Sequence, residues 1–182
     1  MGGPGNYFIA AWLPADLRRR VLAEVLPQMD LQRAAPSGLF LEMPGRWHLT
    51  LRYLGPVQAD LLPPLQAGLA ALCTRQFPVL LQLDTIGKFK EGRVCWLGSK
   101  TVPEALEKFM GGLNETLLQH GFALEKRPFN PHITLVRAPR PWPCKKSPVA
   151  ALGWTIDHCS LVQSRNGQYR PVASWAFGGG ST

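Results

Sequence analysis

At 182 residues the chain has the length of one sizeable domain, or of two small lobes sharing a core. Hydrophobic residues make up 46% and charged residues 18%, a balance that excludes a disordered chain. The formal net charge of +8 favours polyanionic partners, phosphates or nucleic acid first among them, and says nothing of the fold.

In chain order, residues 1–5 read as a flexible tail and residues 7–13 (YFIAAWL) as a buried strand ended by Pro14. Residues 15–28 read as a helix with Leu17, Val21, Leu22 and Val25 as its apolar stripe. Residues 30–45 are irregular, and residues 47–54 form a strand stopped by the breaker pair Gly55-Pro56. A helix is expected over residues 60–75, with Pro63 and Pro64 tolerable only in its first turn. Residues 77–83 and 94–97 read as strands around a basic loop, GKFKEGR, at 87–93. Residues 102–120 form a helix striped by Leu106, Phe109, Leu113 and Leu117, weakened at Gly111-Gly112 and capped by Gly121. A strand entry at 122–125 leads into a motif strand at 132–137 and then a Pro-rich basic loop at 139–148. Residues 151–162 alternate as one strand, an Asn166-Gly167 turn makes a hairpin, and residues 169–177 close it before a tail at 178–182. This layout is α+β with an approximate repeat, each half placing one motif strand after a strand–helix unit.

No run approaches about 18 apolar residues, so no membrane span is expected. No signal peptide is expected, and the cytoplasm is the expected address. Cys73, Cys95, Cys144 and Cys159 are separated by 22, 49 and 15 positions, so no CxxC pair exists and a secreted disulfide framework is not expected. Cys95 and Cys159 lie in apolar runs and read as buried thiols.

Two of the four histidines sit in matched settings: His48 in HLTLRYL and His132 in HITLVR, 84 positions apart. On strands, period-2 geometry puts His48 with Thr50 on one face and His132 with Thr134 on one face of theirs. Leu49, Leu51, Ile133 and Leu135 then point into the core. Two imidazoles facing one phosphorus centre can divide general acid and general base work, because both protonation states exist near neutral pH. The threonine hydroxyls can donate to phosphate oxygens. Arg137, five residues after His132, leaves the motif face of an ideal strand, and a bulge or the strand end is needed to turn its guanidinium inward.

A lone histidine on a half-buried strand is ordinarily structural, and the match between two sites is what favours chemistry here. His120 reads as a helix C-terminal cap or surface residue, and His158 as structural. A metal site from the two histidines with Asp157 or Cys159 lacks any HExxH or paired-Cys spacing, so no metal or cofactor is expected. Trp47 and Phe89 are stacking candidates for a base. Lys88, Lys90, Arg127, Arg165 and Arg170 are candidates for the rim of a cleft.

The two HxT motifs, with YFIAAWLP, GKFKEGRVCWLG and GFALEKRPFNPHITLVR in the same order, resemble the 2H phosphoesterase superfamily. The resemblance is closer to its RNA 2',3'-cyclic phosphodiesterase group, also called 2'-5' RNA ligases, and covers nearly the whole chain. It implies one domain over 1–182 with two interwoven, pseudo-symmetric lobes: two antiparallel sheets, helices outside and a central cleft. It implies His48 and His132 as the catalytic pair, His48 as acid to the leaving 3'-oxygen and His132 activating water. Thr50, Thr134 and Arg137 match the phosphate-binding positions. The implied reaction is metal-independent hydrolysis of RNA 2',3'-cyclic phosphate ends to 2'-phosphomonoesters, with RNA as partner and 2'-5' ligation as its reverse side. A 2H enzyme for another cyclic or 2'-5'-linked nucleotide, and a noncatalytic RNA-binding module, are the alternatives. Where group members carry a Pro-Glu-Asn-like run before the first motif, this chain has Met43-Pro44-Gly45-Arg46-Trp47, and no Arg precedes Tyr7.

Overall fold

The computed structural model describes residues 5–29, 31, 38, 40–89, 93–138 and 146–178. Nine strands hydrogen-bond into one antiparallel sheet: β1 Gly5–Trp12, β2 Phe40–Leu41, β3 His48–Val57, β4 Val79–Phe89, β5 Val94–Gly98, β6 His132–Arg137, β7 Ser147–Ile156, β8 His158–Arg165 and β9 Gln168–Ala176. The order is β7-β4-β5-β6-β3-β1-β8-β9, with β2 on β6. The two expected sheets are therefore two halves of one sheet, β7-β4-β5-β6 with β2, and β3-β1-β8-β9. They meet at a single residue pair, Leu49 opposite Ile133.

Helices α1 Ala15–Arg20, α2 Leu62–Thr74 and α3 Glu104–Gln119 carry most of the remaining regular structure. The expected helix over 15–28 changes winding after Arg20, to a π turn over Val21–Val25 and a 3-10 turn over Leu26–Gln28. Pro27 supplies the reason: without an N–H it cannot continue an α ladder. In α2 the prolines fall at the first helical positions, where the missing N–H has no intrahelical partner to lose. In α3 the stripe Leu106, Phe109, Leu113 and Leu117 is buried at 0–1% exposure, and Gly111-Gly112 does not break it. A Cβ at Gly112 would meet Leu72 at 2.9 Å, so that glycine lets α2 and α3 approach closely.

Several sequence boundaries move. Gly55-Pro56 does not end β3, which continues opposite Tyr7, Asn6 and Gly5. Gly55 has a φ of +71°, and β3 pairs with β6 only at Leu49, so Pro56 lies on a stretch where one strand edge is open. The single alternating strand expected over 151–162 is two strands broken at Asp157, one on β4 and one on β1. Residues 122–125 are not a strand. Gly5 opens β1, and the N–H of Gly178 donates to the Cys73 carbonyl at 3.0 Å, while residues 1–4 and 179–182, Lys90 and residues 139–145 lie outside the described residues.

One continuous core of fully buried side chains, including Leu49, Leu51, Ile133 and Leu135 at 0–1%, lies between the sheet and the helices. Cys73 of α2 and Cys159 of β8 meet there, their sulfurs 3.3 Å apart as free thiols. Cys95, expected as a thiol, is disulfide-bonded. No helix among the described residues is long and apolar enough to cross a membrane.

Candidate active site

The seam positions the motif residues. An antiparallel register centred on Leu49–Ile133 sets His48 across from Thr134 and Thr50 across from His132. Directly opposed residues share a sheet face, with Cβ atoms about 4.5–5.5 Å apart. Burying Leu49 and Ile133 toward the helices therefore commits all four polar side chains to the opposite face. They line one cavity of ≈ 140 Å³ together with Phe8, Tyr53, Arg137, Ser164 and Tyr169.

Both imidazoles are held in the same way. His48 Nδ1 lies 2.7 Å from the carbonyl oxygen of Arg46, and His132 Nδ1 lies 2.7 Å from that of Asn130. A carbonyl only accepts, so each Nδ1 carries the proton, and each neutral ring presents an unprotonated Nε2 as its base. The rings are also wedged by aromatics. Phe8, Trp12 and Tyr169 surround His48 at centroid distances of 5.0, 5.3 and 5.4 Å. Phe89 and Trp96 flank His132 at 4.8 and 5.9 Å. The Trp96 ring covers Gly87 and Gly98, where an added Cβ would stand 2.1 and 2.8 Å from it. Those glycines leave room for the wall behind His132.

Arg137 reaches the cavity through a bulge. Trp96 pairs with Thr134 and Cys95 with Val136, so β6 carries one extra residue, Leu135. Leu135 and Val136 are both buried, and the alternation resumes with Arg137 on the motif face. Its Nε donates to Glu42 Oε1 at 2.7 Å. Glu42 itself is fastened to the sheet, its N–H donating to the Leu135 carbonyl at 2.9 Å. Strand β3 has the matching irregularity at Leu51, which brings Tyr53, also five residues after its histidine, to the equivalent place. The pseudo-symmetric site thus has an arginine at one end and a tyrosine at the other.

A second cavity of ≈ 470 Å³ adjoins the first, sharing Thr50, Tyr53 and His132 and adding Phe89, Phe129, Glu125 and Arg127 among its lining. Phe89 and Arg127 thus line this cavity, with Arg127 ion-paired to Glu125 at 2.7 Å. Trp47 does not. It is 1% exposed in the main core, because the alternation that exposes His48 buries its neighbour. Lys88, Arg165 and Arg170 are exposed and line neither cavity. His120 is the C-cap of α3 and bonds the Thr116 carbonyl at 2.8 Å. His158 bonds Asp157 at 2.6 Å. Phe8, Tyr53, Tyr169 and Glu42 join the site without having been expected there. Of these only Tyr53, at the spacing of Arg137, left a signal in the sequence.

Burial is the first cause that pushes both imidazoles below the usual histidine range; the backbone carbonyl bonds oppose it. Glu42 also raises His48, while Arg137 lowers both. As pH falls, the unfolded chain takes up protons at these positions first, near about 6.5. Their contribution to stability is therefore full above that pH and lost as pH falls through the lower folded values. Melting temperature should fall on acidification below about pH 6.5, and His48→Asn with His132→Asn should flatten that slope. An unchanged slope in the double variant would refute the assignment.

The same geometry can be set beside known proteins. The sequence profile of the 2'-5' RNA ligase superfamily matches residues 31–168. The RNA 2',3'-cyclic phosphodiesterase of Escherichia coli strain K12 is 31% identical over 185 aligned positions, covering 97% of this chain and 99% of that protein. The crystal structure of E. coli LigT complexed with 3'-AMP superposes with a TM-score of 0.77 at 28% identity, covering 96% of this chain and 98% of that one. TT0787 of Thermus thermophilus shares the fold with a TM-score of 0.79 at 23% identity, with coverage of 96% and 98%. Paired HxT strands at the seam of a two-half sheet, matched over nearly the full length, place the chain in the 2'-5' RNA ligase superfamily, with the 2H phosphoesterase fold.

Proposed function

We propose that the protein hydrolyses 2',3'-cyclic phosphate ends of RNA to 2'-phosphomonoesters, with His48 and His132 as its acid–base pair. One observation carries this reading: two imidazoles, each locked through Nδ1 onto a backbone carbonyl, share a cavity with two threonines and an arginine. Binding an anion alone needs no such matched pair. The E. coli relative named RNA 2',3'-cyclic phosphodiesterase supports the substrate class.

Water attacks phosphorus as His132 Nε2 takes its proton, the P–O3' bond breaks, and His48 protonates O3'. Arg137 disfavours the charged form of both imidazoles and Arg46 that of His48, and Glu42 opposes them at His48, which supports this division. Thr50 and Thr134 donate to nonbridging oxygens, and Arg137 offsets the charge that builds in the pentacoordinate state. The larger cavity, with Phe89 as a stacking wall and Arg127 at its rim, takes the terminal nucleoside. No step requires a metal. The cytoplasm, the address expected from the sequence, is where it would meet such ends.

An oligonucleotide ending in a 2',3'-cyclic phosphate, incubated in EDTA, should give the 2'-phosphate product. Intact substrate beside an active control enzyme would overturn the proposal. Adenosine 2',3'-cyclic phosphate tests the small-nucleotide reading, which the nucleoside-sized cavity and the 3'-AMP complex of E. coli LigT both favour. Faster turnover of the mononucleotide than of the oligonucleotide would support it.

A further inference from the structure

The terminal nucleoside and its phosphate account for one end of the cleft, the larger cavity beyond Tyr53. The other end, beyond Arg137, is built differently. Phe40 of β2 pairs directly with Arg137, so both side chains stand on the motif face. Phe40 is 68% exposed, and Leu41 and Met43 of the same segment are 45% and 67% exposed. This apolar lip is held firmly, since Glu42 within it is fastened to Leu135 through its backbone and to Arg137 through its side chain. Arg137 stands directly beside Phe40 on β6 and lines the motif cavity. An exposed aromatic fixed beside a phosphate-facing arginine has the make-up of a stacking platform for single-stranded nucleic acid.

We infer that Phe40 is the stacking platform for a second nucleoside, the one that carries a 5'-hydroxyl, on the opposite side of the phosphate from the cyclic-phosphate nucleoside. This rests on the proposed phosphodiesterase reading and extends it from hydrolysis to transfer. In transfer the 5'-hydroxyl takes the place of water. It loses its proton to one imidazole, the P–O5' bond forms, the P–O3' bond breaks, and O3' receives a proton from the other. The product is a 2'-5' diester, and the reverse reaction regenerates the same two ends, so no further reactant is needed. Hydrolysis requires nothing on the Phe40 lip, whereas transfer requires a nucleoside held there.

The test is the partition between the two products. Oligonucleotide with a 2',3'-cyclic phosphate is mixed with a 5'-hydroxyl oligonucleotide, and 2'-phosphate and 2'-5'-joined products are quantified. Phe40→Ala should lower the rate of joining about ten-fold, the scale of one lost base stack, while hydrolysis stays within about two-fold, well inside that scale. Phe40→Trp should restore joining. Phe77→Ala removes an exposed aromatic outside both cavities and should change neither product. Equal loss of both products in Phe40→Ala would overturn the inference, assigning Phe40 only to the support of Arg137. Unchanged partition would do the same, leaving the lip to another kind of partner. Hydrolysis by the unmodified protein with no joined product also overturns it. Absence of both products refutes the phosphodiesterase reading itself.

Discussion

Asparagine at position 132 is expected to lower kcat on a cyclic-phosphate oligonucleotide by about 10²–10⁴-fold, the usual scale of lost general acid–base catalysis. The choice of asparagine follows from the geometry. Its side-chain amide can still donate to the Asn130 carbonyl that now holds Nδ1, so the local fold keeps its hydrogen bond while the reactive Nε2 is removed. His48→Asn does the same against the Arg46 carbonyl and should cost a comparable factor. The double variant should lose little more than the worse single one, because two groups that act on one proton-transfer sequence are not additive. Steady-state kinetics beside a melting curve for each variant checks this. A loss under about ten-fold in either single variant, with the fold intact, would refute the acid–base pair.

The shared face of the two motifs is legible in the sequence because its signal is local. A period of two fixes which face His48, Thr50, His132 and Thr134 occupy, and the buried Leu49 and Ile133 confirm the phase. The same periodicity explains the failure at Trp47, since a residue adjacent to a cavity-facing histidine on a strand points into the core. Arg137 was undecided from the sequence, because its direction depends on whether the partner strand skips Leu135. That is a matter of pairing rather than of spacing. Asp157 divides what read as one alternating strand, because β7 and β8 each satisfy the pattern while pairing on opposite halves of the sheet. Tyr169, Phe8 and Glu42 reach the site only through the sheet order. Their positions are consequences of topology, which a single sequence expresses weakly. The placement of His48 beside Thr134 is of the same kind, a product of one residue pair at the seam.

Arg137→Ala should cost about 10²–10³-fold in kcat, comparable to removing a donor aimed at transition-state charge. Arg137→Lys should recover only part of it, since a lysine keeps the charge but not the planar fork that meets two phosphate oxygens at once. The pH dependence separates this role from that of its partner. Arg137 depresses both imidazoles, so its removal should move both limbs of the kcat/KM profile to higher pH. Glu42 favours the protonated form of His48, so Glu42→Gln should lower the His48 value further. If His48 is the acid, its titration sets the alkaline limb, and that limb alone should move to lower pH. The 2.7 Å ion pair between Arg137 and Glu42 is lost in both variants. A purely structural role for the pair would therefore give the same profile in both. Opposite displacements of the alkaline limb require that the two side chains act on His48 through their charges. An acidic limb that moves in Glu42→Gln, with the alkaline limb fixed, would exchange the roles of His48 and His132.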